Sequence, residues 1–387
     1  MKLIPRGQYL QLNTPGIGKD VVFAPNVQEH AKVLMKAANR GYYYPLMAIK
    51  QLNALATGLT GKHNVFIPNV IDFKANSFHK VVVFVPGIAA TVEKRSDKML
   101  VITDLTLSSE YESIAKGNLQ KPGVYSVVKK GETEIEVKFR NNGRILSKDG
   151  RQVVISSTNY ESPRKAAEEA LERLDDIFGG NSSLKCDFDL LYSPLGDKLN
   201  GMRNYNPAKV NQTYGFAGLL ADTMEQSKNK KDIEWTSERG GSVVLTQALM
   251  ALAAKDVSFK DQKHIVKMCW ATSNPRPAYD AIIKLKMIPD KNLFNSNSHI
   301  RASLSAFKGN LERVKRKDDP YNYRDLLKST GNGGMAFNTL AGAGVLVAGT
   351  ALSGMPTGVI GAAGLVTGAV GGIQFAYSKF KERNLRR

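Results

Sequence analysis

The sequence predicts an α/β chain built on a parallel sheet with flanking helices. An α+β unit precedes that sheet, and a two-helix hydrophobic hairpin follows it. Three observations carry this expectation. From residue 151, strand-length runs alternate with helical segments, as in a parallel sheet covered on both faces. Before residue 148, two amphipathic helices give way to strand-length runs split by Gly, Asn and Asp turns. Near the end, the 50 residues between Lys328 and Lys379 carry no formal charge. The expected divisions are 1–148, 149–330 and 331–387.

In the first unit, residues 21–23 read as a short strand. Ala31, Val33, Leu34, Met35 and Ala38 share one face of a helix over 28–39. Met47, Ile49, Leu52, Ala54 and Leu55 do the same over 43–59, with Gly41 and three tyrosines at the break. A packed helix corner explains those tyrosines better than base stacking. From residue 64 the texture turns to β. Runs at 65–67, 80–85 and 99–102 are β-branched. The segments 123–128, 133–139 and 144–147 are separated by Gly131, Asn142-Gly143 and Asp149-Gly150, which is hairpin punctuation.

The second unit alternates. Residues 152–156 form a strand, and Ser162-Pro163 then offers an N-cap with proline at the first helical position. Its helix stops at Gly179-Gly180. Further strands are expected at 187–192 and 264–271, and further helices at 216–224 and 278–285. Between them, Ile233–Thr236 extends into Ser237-Glu238-Arg239-Gly240-Gly241, and a long apolar helix follows.

That turn resembles the nucleophile elbow of α/β-hydrolases, small-x-nucleophile-x-small, where close packing demands small residues. The order VVISSTNYESPRKAAEEAL, FDLLYSPLGDKL, YGFAGLLADTM, IEWTSERGGSVVLTQAL is similar to the lipase-like domains of bacterial polymorphic toxins and secreted effectors. The resemblance implies a nucleophile, an acid and a histidine in that chain order. Aligned on the glycines, Glu238 takes the nucleophile slot. Ser237 fits only in a register that crowds Arg239 and Trp235 into small positions. Asp319 is the candidate acid. No histidine follows His299, so the order cannot be completed. A carboxylate nucleophile would still need a base to release its ester. A catalytically degenerate scaffold is therefore preferred. The enzyme alternative is an ester hydrolase using Ser237 or Glu238 in a rearranged site.

The C-terminal stretch divides into 335–352 and 359–377, of 18 and 19 residues. Each approaches the ~20 residues that span hydrocarbon as a helix. Gly354, Pro356 and Gly358 mark the tip, and Gly364, Gly368 and Gly372 repeat every fourth residue. Such small-xxx-small spacing lets membrane helices approach closely, and it offers a route to homo-oligomers. Residues 301–328 hold eight basic and four acidic residues, and 379–387 hold five and one. Equal basic flanks place both ends of a hairpin on one side.

Composition supports an anionic partner. Lys plus Arg number 54 against 35 acids, a net charge of +19. An excess of that size favours acidic lipid headgroups or nucleic acid. No zinc finger, RNP-like run or phosphate loop supports direct nucleic-acid recognition, so lipid is preferred. Two distant cysteines and five scattered histidines show no metal spacing, and no cofactor is expected. The first residues lack the apolar core of a secretory signal. The functional expectation is a membrane-acting effector, made in the cytoplasm and delivered to a target membrane. An immunity protein or delivery chaperone is the partner such a toxin implies. A non-enzymatic virion or assembly protein facing nucleic acid is the third reading.

Overall fold

The computed structural model describes residues 8–57, 80–85, 87–96, 98–107, 121–130, 134–173, 187–195, 199–201, 203–295, 297 and 302–326. Strand alternation organises the first sheet. Its strands are β1 (Leu10–Gln11), β2 (Asp20–Phe23), β3 (Lys80–Val85), β4 (Ile88–Ser96) and β5 (Met99–Leu107). They lie in the order β1-β2-β5-β4-β3, with β2 parallel to β5 and the other pairs antiparallel. Helices α1 (Gln28–Asn39) and α2 (Tyr43–Ala54) connect β2 to the rest. Phe23, Val83, Ala90, Val92, Val101, Leu52 and Leu55 meet in one core. Strand β4 was not expected. Its charged Glu93-Lys94-Arg95 masks a strict alternation in which Ile88, Ala90 and Val92 turn inward. Gly87, at φ +73°, closes the β3–β4 hairpin.

The second sheet has seven strands: β6 (Gly123–Lys129), β7 (Ile135–Phe139), β8 (Gln152–Ile155), β9 (Phe188–Tyr192), β10 (Glu234–Glu238), β11 (Ile265–Cys269) and β12 (Ile288–Pro289). Their order is β12-β11-β10-β8-β9-β6-β7. Strands β8 to β12 run parallel, and the β6–β7 hairpin adds an antiparallel edge beside β9. The molecule thus holds mixed sheets with flanking helices, an α/β arrangement as expected.

The β6–β7 hairpin was read with residues 1–148, but it belongs to this second sheet. The break between the sheets therefore falls between Leu107 and Gly123. Residues 144–147 were expected as strand and are not. There the Leu146 N–H donates to Asp189 Oδ2 at 2.9 Å rather than to a neighbouring strand. Arg140 and Arg151 also bind Asp189, at 3.2 and 2.7 Å, which fixes the connection to β8.

Helix α3 (Pro163–Glu172) covers one face of this sheet. Ser162 caps it as expected, its Oγ accepting from the Lys165 N–H at 3.1 Å. Helices α4 (Tyr214–Gln226), α5 (Gly241–Ala254) and α6 (Pro275–Lys284) cover the other face. Strands β8 and β9 are buried along their whole length, which fits their mostly apolar residues, with the buried Asp189 paired by Arg140 and Arg151. The two sheets meet where Tyr214 of α4 packs on Phe84 of β3, with ring centroids 5.8 Å apart. Lys50 reaches Asp222 across the same junction at 3.7 Å.

Helix α7 (Ala302–Val314) closes the β12 edge. Its Arg313 is fully buried and donates to the carbonyls of Pro289, Asp290 and Lys291. The expected hairpin over 331–387, with Gly354, Pro356, Gly358, Gly364, Gly368 and Gly372, lies outside the described residues, as does the strand expected at 65–67. Among the described residues, no helix is long and apolar enough to cross a membrane.

Candidate functional site

In chain order the five parallel strands lie second, first, third, fourth, fifth across the sheet. The direction of winding reverses between β8 and β10. In open α/β sheets, ligands bind at the carboxyl ends of the strands flanking such a reversal. Two loops meet there: residues 156–162 after β8, and Arg239-Gly240 between β10 and α5.

The β10–α5 turn is set by close contacts. A Cβ on Gly241 would stand 2.5 Å from the Ser156 carbonyl oxygen and 2.6 Å from that of Ile155. Only glycine lets α5 start this near β8. A Cβ on Gly240 would meet Thr158 Oγ1 at 2.6 Å, Leu199 Cβ at 3.2 Å and Asn200 Oδ1 at 3.4 Å. Neither glycine takes the left-handed conformation. Arg239 does, at φ +42°, a conformation that costs a non-glycine residue roughly 1–2 kcal/mol. The Arg239 N–H donates to the Cys269 carbonyl at 2.9 Å, which carries the β10–β11 ladder one residue past β10. The Ser242 N–H then closes on the Arg239 carbonyl at 3.0 Å.

This geometry moves the elbow by one residue. The sequence reading placed Glu238 in the central position, but the residue with the reversed φ is Arg239. Ser237-Glu238-Arg239-Gly240-Gly241 then fits small-x-centre-x-small, with Ser237 and Gly241 as the small residues. Glu238 is the last residue of β10 and is buried on the α3 face. Its Oε1 accepts from the Tyr160 hydroxyl at 2.9 Å and from Arg173 at 2.7 Å. Burial holds the Tyr160 phenol well above its ordinary pKa, and the adjacent Glu238 charge adds to that shift. Arg173 also binds Glu169 at 2.8 Å and lies over the Trp270 ring. Ser237 alternates to the opposite face, beside Trp235, and is fully buried.

Asp319 is engaged elsewhere. It accepts from Arg313 at 2.9 Å, from the Tyr279 hydroxyl at 3.0 Å and from the Tyr321 N–H at 2.9 Å. Arg313 and Asp319 are both fully buried, and the Tyr279 and Tyr321 rings lie within 5.8 and 4.7 Å of the guanidinium. This pair fastens α7 to the end of β12. None of its partners belongs to the elbow, so the structure does not gather Ser237, Glu238 and Asp319 into one site.

The histidines do not complete a triad either. His264 precedes β11, so it stands at the amino end of the parallel strands, opposite the elbow. Its Nδ1 accepts from Trp235 Nε1 at 3.1 Å, and its Nε2 donates to the Lys230 carbonyl at 2.8 Å. Burial pushes its pKa down. His299 lies outside the described residues. Among those residues, no group of three or more His, Cys, Asp or Glu could hold a metal.

The structure brings to the elbow residues that the sequence reading passed over. Ser242 Oγ accepts from the N–H groups of Thr272 and Ser273, both at 3.1 Å, and ties the loop after β11 to the start of α5. The Thr272 hydroxyl donates to the Arg239 carbonyl at 3.3 Å. Ser157 Oγ is 2.7 Å from Asn200 Oδ1. Ser156 and Ser193 directly follow β8 and β9 and are fully buried, and among the described residues neither their Oγ atoms nor Asn200 Nδ2 finds a partner. The available signal was the polar run Ser156-Ser157-Thr158-Asn159 directly after the apolar Val153-Val154-Ile155. A polar run at a buried strand end marks a loop that must bond something other than water.

No family model matches this chain, and neither curated protein sequences nor solved structures give a match.

Proposed function

We propose that this chain is a membrane-acting, delivered effector whose second sheet is a hydrolase-like scaffold without a hydrolytic nucleophile. One observation carries the reading: Arg239 occupies the left-handed centre of the elbow, where acyl transfer would need a serine, cysteine or carboxylate. A guanidinium stays protonated and cannot attack a carbonyl. The strand order and the placing of α3 opposite α4 and α5 support the scaffold half of the proposal. The uncharged run between Lys328 and Lys379, its basic flanks and the +19 charge support the membrane half. An active ester hydrolase finds no comparable support, since Glu238 is clamped by Arg173 and Tyr160 while Ser237 is buried beneath α5.

Two measurements test the proposal. Short acyl esters and phospholipids incubated with the full chain should hydrolyse no faster than the blank. Turnover that disappears on substituting Ser237 or Glu238 by Ala would overturn the scaffold half. Flotation with anionic vesicles should carry the full chain upward and leave a chain lacking residues 335–387 behind. Equal flotation of both would remove the membrane half.

A further inference from the structure

We propose that the outer face of the α1–α2 corner is a docking surface for an anionic lipid bilayer. The two helices share an inner side. Ala31, Leu34 and Met35 of α1 and Ala48 and Leu52 of α2 pack into the core of the first sheet. The side chains opposite them point away from that core. Along α1 and its C-cap these are Val33, Lys36 and Arg40, three and four residues apart. From the N-cap of α2 onward they are Tyr42, Leu46 and Lys50, each four residues on.

Val33 is 70% exposed, Tyr42 58% and Leu46 46%. Among the described residues eight large hydrophobic side chains are exposed, and three of the eight fall within 33–46. Periodicity placed Val33 on the buried face, and the structure turns it outward. The joint between the helices is fixed. The Tyr42 N–H donates to the Ala37 carbonyl at 3.2 Å, and the Leu46 N–H donates to the Tyr42 carbonyl at 3.0 Å. Cations interleave with these apolar groups. Lys32, Lys36, Arg40 and Lys50 are all exposed, and Glu29 is the one acid within 28–54.

That mixture selects the occupant. Nucleic acid would take the charges and leave Val33 and Leu46 in water. A second copy of the chain would set the same cations against one another. Three apolar side chains also fall short of the ~800 Å² per partner that a stable protein interface buries. A bilayer with acidic headgroups takes both kinds of group. Val33 and Leu46 enter the acyl boundary, Tyr42 lies at the polar interface, and the basic heads reach lipid phosphates over their apolar stems. The proposal rests on the membrane half of the reading above and adds a contact outside residues 331–387.

The test uses the full chain and vesicles of phosphatidylcholine with and without phosphatidylserine. The readout is the lipid concentration that floats half of the protein. Contributions from distant contacts add, so any hold exerted by residues 335–377 cancels when variants are compared. Val33→Ser with Leu46→Ser should raise the half-binding concentration about tenfold on phosphatidylserine vesicles. Lys36→Gln with Arg40→Gln should also raise it about tenfold. Lys148→Gln with Lys263→Gln removes the same charge from exposed loops beside the second sheet, and should change it less than about twofold. Every substituted side chain is exposed, so folding should survive, as urea midpoints will show. If one pair at the corner does not fold, the other decides.

Wild type that ignores acidic vesicles overturns the proposal and the membrane half together. Acidic vesicle binding that either corner pair leaves unmoved, or that the Lys148 and Lys263 pair weakens as much, overturns this proposal alone. Duplex DNA held by wild type and released by Lys36→Gln with Arg40→Gln, while vesicle binding stays unmoved, reassigns the face to nucleic acid and overturns it. A dimer dissolved by Val33→Ser with Leu46→Ser, again with vesicle binding unmoved, reassigns it to a second copy and overturns it as well.

Discussion

Substituting Gly241 by alanine tests the packing that shapes the elbow. The new methyl would stand 2.5 Å from the Ser156 carbonyl oxygen and 2.6 Å from that of Ile155. Both atoms are backbone, so no side-chain rotation relieves the clash. The Ser156 N–H is bonded to the Leu191 carbonyl at 3.0 Å, and Ile155 is paired with both Ser237 and Leu191, so β8 cannot retreat alone. Helix α5 must move off the sheet. Overpacking of this kind costs about 1–3 kcal/mol, and a backbone-to-backbone clash belongs at the upper end. Alanine's better helix propensity returns up to about 1 kcal/mol, leaving a net loss of about 2 kcal/mol. The assay is urea unfolding followed by tryptophan fluorescence. The chain's two tryptophans are Trp235 in β10 and Trp270 just after β11, so the signal reports the second sheet. With a slope of about 2 kcal/mol per molar urea, the midpoint should fall by about 1 M. Gly240→Ala is the comparison. Its methyl meets the Thr158 hydroxyl, which can rotate, and the loss should be about half as large. A Gly241→Ala midpoint within about 0.2 M of wild type would refute the claim that this contact sets the turn.

Other expectations concern charge. Asp319→Ala strands the Arg313 guanidinium in the interior, so unfolding should become easier by about 3–5 kcal/mol; chemical denaturation measures this, and a loss below about 1 kcal/mol would show that the three carbonyls suffice for Arg313. His264 is buried and neutral with a lowered pKa, so the unfolded chain takes up its proton first as pH falls. Its contribution to stability is intact above about pH 6.5, the value for an unfolded histidine, and declines below it until the folded pKa is passed. Urea midpoints between pH 7.5 and 5 should show this decline, and His264→Gln should flatten it. Tyr160→Phe removes one donor from the buried Glu238 carboxylate and should cost about 1.5–3 kcal/mol, read by the same melts.

Much of the second sheet was legible because its signals are local. Helix α1 runs over 28–39 as expected, although Val33, read on its apolar face, is exposed, and α3 begins at the Ser162-Pro163 cap. Strands β8 to β11 fall on the runs expected at 152–156, 187–192, 233–236 and 264–271, with β10 running on to Glu238. The Gly240-Gly241 pair marked a tight strand-to-helix turn. Three features were hidden for physical reasons. The charged residues of β4 hid a period of two. The β6–β7 hairpin carries its own turn chemistry, but nothing local says which sheet's edge it will join. Asp319 stood near other charged residues in a loop, and its burial depends on Arg313 arriving from α7.

From the chain alone came the alternation of strands and helices, the position of the elbow and the absence of an ordered Ser, acid and His. These depend on periodicity, capping and residue identity, all of which act over a few neighbouring residues. Only the tertiary structure decided that position 239 turns left-handed. Local preference would hand a positive φ to glycine, but Gly241 is needed where α5 touches β8, and the β10–β11 ladder runs on to the Arg239 N–H. Long-range contacts from β8 and β11 thus outweigh the intrinsic preference of the turn, and they leave an arginine at its centre.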